Sequence, residues 1–203
     1  MTKNHKVQPE LRPRDLNGIS EDQLAQHWAL YEGYVANVNL LEGKIHALTK
    51  KGDFGAEFSE LKRRAGFEYN GMVLHEHYFG ILKAGGHPLN ESTEFAKKLG
   101  ESFGGIEDWR KEFAAMGHMR GSGWVILYHE PRRDILTNIW ISSHEDGHPA
   151  GFTPLLVMDV WEHAYMVDWG AGGRADYVEK FLLNVDWAKL EDAYRAAAQT
   201  AAV

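Results

Sequence analysis

The stretch Asp159-Val160-Trp161-Glu162-His163-Ala164-Tyr165 organises the whole chain. It sets a carboxylate and an imidazole four positions apart, with a tryptophan between them and a second carboxylate beside the imidazole. Ahead of it runs Thr153-Pro154-Leu155-Leu156-Val157-Met158, a short apolar segment that reads as a buried strand. Behind it, Ala164-Tyr165-Met166-Val167 continues at helical spacing. Asp159 is therefore expected where a strand gives way to a helix, with His163 about one turn on and facing the same way. A hard oxygen donor and an imidazole held on one rigid element form half of a transition-metal site. Taken alone, the pair reads more simply as an aspartate capping its own helix beside a packed histidine. The rest of the chain separates the two readings.

Composition bounds the answer. A chain of 203 residues with 44% hydrophobic content and seven tryptophans can bury a sizeable core. It has no apolar run long enough to span a membrane. The opening Met1-Thr2-Lys3-Asn4-His5-Lys6 does not read as a secretory signal. The absence of cysteine excludes disulfides, thiolate metal sites and thiol catalysis, and fits a cytoplasmic location. A formal charge of -7 disfavours nucleic acid as a partner. Eleven histidines raise the metal question independently of any motif.

Residues 1 to 17 read as an extended arm. Ser20-Glu21-Asp22-Gln23 is a capping box that opens a long helix to about Lys50, stopped by Gly52. Its apolar face runs Leu24, His27, Tyr31, Tyr34, Val38, Leu41, Ile45 and Leu48. Glu57 to Ala65 reads as a short helix, and a second long helix is expected from Phe67 to Lys83, ending at Gly85-Gly86. Its stripe is Asn70, Val73, Leu74, His77, Tyr78 and Ile81, which puts His77 on the apolar face and His75 toward the surface. Helices follow over 91–103 and 106–120. Then come strands over 124–129 and 135–142, the strand before Asp159, and helices over 175–183 and 187–198. Segregated helices and strands predict an α+β fold. It comprises an N-terminal antiparallel helical hairpin, residues 1–86, and a C-terminal domain, residues 87–203, with a three-stranded antiparallel sheet flanked by helices.

The D-x-W-E-H-A-Y pattern at Asp159–Tyr165 resembles the signature of the iron/manganese superoxide dismutases. Further segments are similar to that family: Ile19-Ser20 through His27, Tyr34-Val35 with Asn37, Asn70 through His77, Gly121-Ser122-Gly123-Trp124, and Tyr177 through Asn184-Val185-Asp186-Trp187. The resemblance implies one iron or manganese ion per subunit, held by His27, His77, Asp159 and His163, with a solvent molecule as fifth ligand. It implies conversion of superoxide to dioxygen and hydrogen peroxide, and Tyr34 as an outer proton relay. Trp124 and Trp161 would wall the pocket. It further implies a homodimer in which Glu162 of one subunit pairs with the neighbour's ligand histidine, His163. A metal-binding homologue with other redox chemistry and a non-catalytic structural member are the alternative readings.

The chain departs from the family pattern around the implied site. Tyr31 stands where a gateway histidine is expected, and Met166 stands in place of a second tyrosine. The interval from His27 to Tyr34 is one residue short, so Tyr34 reaches the site only through some local irregularity of the helix. The glutamine that holds the solvent ligand is replaced by Val73 at its second-helix position. His144 or Glu145, in the loop before the third strand, must then substitute, and His144 is favoured because an imidazole can donate a hydrogen bond where an ionised carboxylate cannot.

Overall fold

The computed structural model describes residues 4–200. Helix α1 (Glu21–Lys51) and helix α2 (Ala56–Gly80) form the expected antiparallel hairpin. Helices α3 (Glu94–Phe103) and α4 (Ile106–Gly117) lead to strands β1 (Gly123–Glu130), β2 (Ile135–Ser142) and β3 (Thr153–Asp159), and α5 (Met166–Trp169), α6 (Arg174–Leu183) and α7 (Trp187–Thr200) close the chain. The fold is α+β.

The Ser20 hydroxyl accepts the Gln23 N–H at 3.0 Å and caps α1, a contact worth about 1 kcal/mol. Only half of the capping box forms, because the Gln23 side chain turns instead to the segment after β3, where it bonds His163 and Val167. Gly52, left-handed at φ 68°, ends α1 with its N–H on the Leu48 and Thr49 carbonyls. The break expected near Gly66 is absent: α2 runs through it as one helix of 25 residues. A glycine inside a helix costs only about 1 kcal/mol against alanine, which packing along α1 outweighs. Helix α2 also stops before Lys83, where the Lys83 N–H pairs with the Asn184 carbonyl at 2.8 Å.

The N-terminal arm runs back over the hairpin. His5 N–H donates to Asn39 Oδ1 at 2.9 Å and Gln8 N–H to the Tyr31 hydroxyl at 3.1 Å. A 3-10 turn over Pro9–Leu11 lays Leu11 on α2. Residues 1–3 of the expected arm lie outside the described residues.

The sheet order is β2-β1-β3, antiparallel throughout. Central β1 is buried along its whole length, which is why its sequence lacks a polar alternation. Its register sets Trp124 opposite Asp159 on β3 and opposite Ile141 on β2. Beyond Asp159 the chain does not enter the expected regular helix. It makes a 3-10 turn over Glu162–Ala164 and then the four-residue α5. The core is continuous across the hairpin and the sheet, with Tyr78 of α2 stacked on Phe181 of α6 at 5.6 Å.

Candidate metal centre

Four side chains from three parts of the fold meet in the core. His27 comes from α1, His75 from α2, Asp159 from the end of β3 and His163 from the 3-10 turn after it. One potential ligand atom from each lies within 4.8 Å of the others. Asp159 Oδ2 is the focus: it lies 3.0 Å from His27 Nε2, 3.0 Å from His163 Nε2 and 3.7 Å from His75 Nε2. Asp159 and His75 are fully buried and His27 nearly so, whereas the His163 side chain retains 22% exposure.

His77, the residue expected from the stripe on α2, is not part of this cluster; His75 takes the place. The two positions are about 200° apart on a helix. The face of α2 turned to the site carries Glu68, Gly71, Met72, His75, Tyr78 and Phe79. His77 faces the arm instead, in a cleft of about 210 Å³ lined by Gln8, Leu11, Val73 and Glu76. Of the apolar stripe, Val73 and His77 lie under the arm, whereas Tyr78 turns to the core beside His27. The signal that marks the other face is Phe79, four residues after His75 and 5.0 Å from the His27 ring.

The surroundings hold each group in place. The His75 Nδ1 atom lies 2.6 Å from the Gly71 carbonyl, which can only accept, so Nδ1 carries the proton. Its Nε2 lone pair is thereby aimed at the cluster, and this buried nitrogen has no hydrogen-bond partner among the described residues. Asp159 Oδ1 accepts the Trp161 N–H at 2.8 Å, and the Tyr177 hydroxyl donates to the Asp159 carbonyl at 2.7 Å. Gln23, 1% exposed, clamps the following turn, donating to the His163 carbonyl at 2.6 Å and accepting from Val167 N–H at 2.9 Å. Gln23 and Tyr177 are long-range supports that no local pattern announces.

The electrostatics suit a cation. Burial lowers the His27 pKa against the opposing pull of Asp159, and burial together with His27 lowers His75 well below the ordinary value. Burial also works against the Asp159 charge, yet His163 and His27 outweigh it and hold the carboxyl far below its usual range. Burial opposes protonation of His163 as well, and the Asp159 carboxylate overrides it and raises that imidazole. A carboxylate facing two imidazoles that shed their protons, His27 and His75, and a third, His163, drawn to that same carboxylate, is a donor set suited to a divalent or trivalent metal. The orphaned His75 nitrogen is the observation that a bound ion would satisfy.

Beside the cluster lies the pair Tyr34 and His144. The Tyr34 hydroxyl is 2.7 Å from His144 Nε2, and the Trp124 indole N–H donates to His144 Nδ1 at 3.0 Å. An indole nitrogen only donates, so Nδ1 of a neutral His144 is the acceptor and Nε2 carries the proton. Burial lowers His144 to about 4 and raises Tyr34 to about 12. Both are neutral between those values. Ser143, left-handed at φ 56°, turns the chain so that His144 points inward while Glu145 stays exposed. Helix α1 needs no irregularity to bring Tyr34 here. Seven residues at about 100° each fall about 20° short of two turns, which puts Tyr34 on the His27 face. Tyr31 is fully buried and donates to Glu76 at 2.9 Å. With His75 in the cluster, the α2 position four residues earlier is Gly71 rather than Val73. It has no side chain to offer.

Glu162 is exposed and accepts from Ser122 Oγ at 3.0 Å. Trp161 stacks on His163 at 5.9 Å and lies 5.1 Å from His144.

Residues 91–193 match the family profile described as iron/manganese superoxide dismutases, C-terminal domain. The chain is 34% identical to the iron superoxide dismutase of Aquifex aeolicus over 201 residues, 95% of this chain and 93% of that relative. It is 36% identical to the iron superoxide dismutase of Cupriavidus metallidurans over 91% of this chain and 93% of the relative. It is 32% identical to a manganese superoxide dismutase of Haloferax volcanii over 83% of each chain.

Proposed function

The chain belongs to the iron/manganese superoxide dismutase family, and we propose that within its dismutase site the Tyr34–His144 pair delivers the protons. The enzyme is an oxidoreductase acting on superoxide, with iron or manganese at His27, His75, Asp159 and His163. The observation that carries this is the single oxygen, Asp159 Oδ2, faced by three imidazole nitrogens. When bound, the metal supplies a one-electron couple by which one superoxide is oxidised to dioxygen and a second is reduced, with two protons, to hydrogen peroxide.

The chain's own residues do the rest. One carboxylate among three imidazoles gives the ion a single negative ligand. Trp124 and Trp161 wall the centre with aromatic surface and restrict water. Trp124 fixes the His144 tautomer, so His144 Nε2–H donates to the Tyr34 oxygen. The Tyr34 proton is then left free to be donated onward, toward the reacting oxygen. Glu145, exposed, takes no part in this reading.

The same reading includes a homodimer through Glu162 and His163. Glu162 and the partly exposed His163 sit beside exposed Met166 and Val167, a surface suited to a two-fold contact with a second copy. The cysteine-free composition accords with the cytoplasm. No helix among the described residues is long and apolar enough to cross a membrane.

The test is superoxide removal by the iron-loaded and the manganese-loaded protein, each compared with Tyr34→Phe and His144→Ala. At least one loaded form is expected to be active, with both variants retaining metal and losing turnover. Variants that match the parent rate would remove the pair from the mechanism. Light scattering of the parent and of Glu162→Ala tests the dimer, which a monomeric parent would refute.

A further inference from the structure

Central strand β1 holds the loop of His144 at two points. Trp124 and Tyr128 stand four residues apart on β1 and so face the same side, and the pairing with β2 is regular between them. Both are buried, and the side-chain hydrogen bond of each goes to the loop after β2. Trp124 holds the His144 ring by its Nδ1. The Tyr128 hydroxyl lies 2.7 Å from His148 Nδ1, and His148 Nε2 lies 2.8 Å from the His144 carbonyl. A carbonyl only accepts, so His148 Nε2 carries a proton. Nδ1 of a neutral His148 is then the acceptor, and the Tyr128 hydroxyl donates. The chain of bonds has one direction, from Tyr128 through His148 to the His144 backbone.

The loop itself gives His144 little support. Glu145, Asp146 and Gly147 are exposed, so packing holds only its inner side. Ser143 at φ 56° and Gly147 at φ 106° bend the backbone through conformations that residues with a side chain rarely adopt. Reciprocal backbone bonds between Ser142 and Asp146, at 2.9 and 3.1 Å, close the turn around His144. The bond from His148 fixes the His144 carbonyl itself, and with it the peptide plane from which the imidazole projects.

We propose that His148 is a positioning residue for proton delivery: held by Tyr128 and bonded to the His144 carbonyl, it keeps His144 Nε2–H aimed at the Tyr34 oxygen. The inference rests on the dismutase reading of the centre and on the Tyr34–His144 pair within it. One anchor alone would let the imidazole pivot about its bond to Trp124. Two anchors, one on the ring and one on the backbone, fix both its place and its rotation. Both come from the strand at the middle of the sheet, and a group held from a buried strand keeps its geometry better than one held by a loop. His148 acts through His144 and not on the reacting oxygen.

The experiment measures kcat for superoxide with metal-loaded protein, and the solvent deuterium isotope effect on kcat. Metal content and melting temperature are measured on every variant. His148→Ala should lower kcat about threefold to tenfold at unchanged metal content, since small misplacements of a reacting group are costly. Its isotope effect should rise, because proton delivery then limits the cycle more. His148→Gln should recover most of the loss, its amide nitrogen donating to the His144 carbonyl and its oxygen accepting from Tyr128. Added to His144→Ala, His148→Ala should lower kcat no further, because a residue that works through His144 has nothing left to act on. A His148→Ala rate equal to the parent's, a loss that glutamine does not rescue, or an equal further loss on top of His144→Ala would overturn the proposal and leave His148 a merely structural partner. If His148→Ala fails to fold, Tyr128→Phe decides: it removes the bond that orients the His148 ring, and a parental kcat and isotope effect overturn the proposal. An inactive parent would overturn the dismutase reading itself, and His144→Ala at the parent rate would overturn the pair. A slow His144→Ala beside an unaffected His148→Ala overturns only the role of His148.

Discussion

Gly71 makes room for Tyr34: a methyl group at Gly71 would lie 2.6 Å from Tyr34 Cδ1 and 2.8 Å from Cε1. The backbone of α2 thus sets how closely the tyrosine approaches His144. Gly71→Ala is expected to push the ring off His144 and to cost about 1–3 kcal/mol through overpacking. Turnover should fall while metal stays bound. Metal analysis beside a superoxide assay and a melting curve checks this, and an unchanged turnover would show that the closeness of Tyr34 is immaterial.

His75 and His77 separate cleanly by mutation. His75→Ala should lose the metal, since it removes one of four ligands and leaves Asp159 buried with one partner fewer. His77→Ala should keep metal and turnover near the parent's, because that side chain lies under the arm. Metal content of the two purified variants distinguishes them, and the reverse pattern would contradict the site.

The Trp124 indole N–H fixes the tautomer of His144, so a replacement must both accept from Trp124 and donate to Tyr34. His144→Gln can do both with its amide oxygen and nitrogen. It should retain much of the turnover, whereas His144→Ala should lose about 10- to 100-fold at unchanged metal content. Equal rates in the two variants would argue against this direction of proton delivery.

Acid sensitivity has an identifiable source away from the centre. The Asp134 carboxylate accepts from Lys98 at 2.7 Å and from buried His129 at 2.9 Å. Lys98 first and His129 next lower its pKa below the ordinary 3.8. A depressed carboxyl contributes stability that is full above its unfolded value and is lost as pH falls through its folded one. The melting temperature should therefore drop below about pH 4, less steeply in Asp134→Asn. Asparagine tolerates the left-handed φ of 50° at this position. The effect is modest because the side chain is half exposed. Identical acid profiles would exclude this pair as a contributor.

Much of the fold was legible because local patterns and tertiary packing agree. Strand β2 spans Ile135–Ser142 as its pattern predicts, and the Asp159–His163 pair is local in sequence and local in space. His27 was legible because it stands in the apolar stripe that α1 turns to the core. His75 was not, because α2 is covered on two faces, by the site and by the arm, and periodicity does not tell one cover from another. Gly66 misled because a helix-breaking preference of about 1 kcal/mol is small against packing. The shortened interval to Tyr34 misled because it was judged against a family pattern, whereas helical geometry alone puts seven residues on one face. Gln23, Gly71 and Tyr177 act across the fold, and no spacing rule reaches them.

His27, His75, Asp159 and His163 together hold one redox metal. Diffraction from crystals of the iron- or manganese-loaded protein, recorded at that metal's absorption edge, tests it most directly. One anomalous peak per chain is expected, within bonding distance of His27, His75 and His163 Nε2 and of Asp159 Oδ2. A peak that leaves His75 unbound, or that falls beside His77, would contradict it.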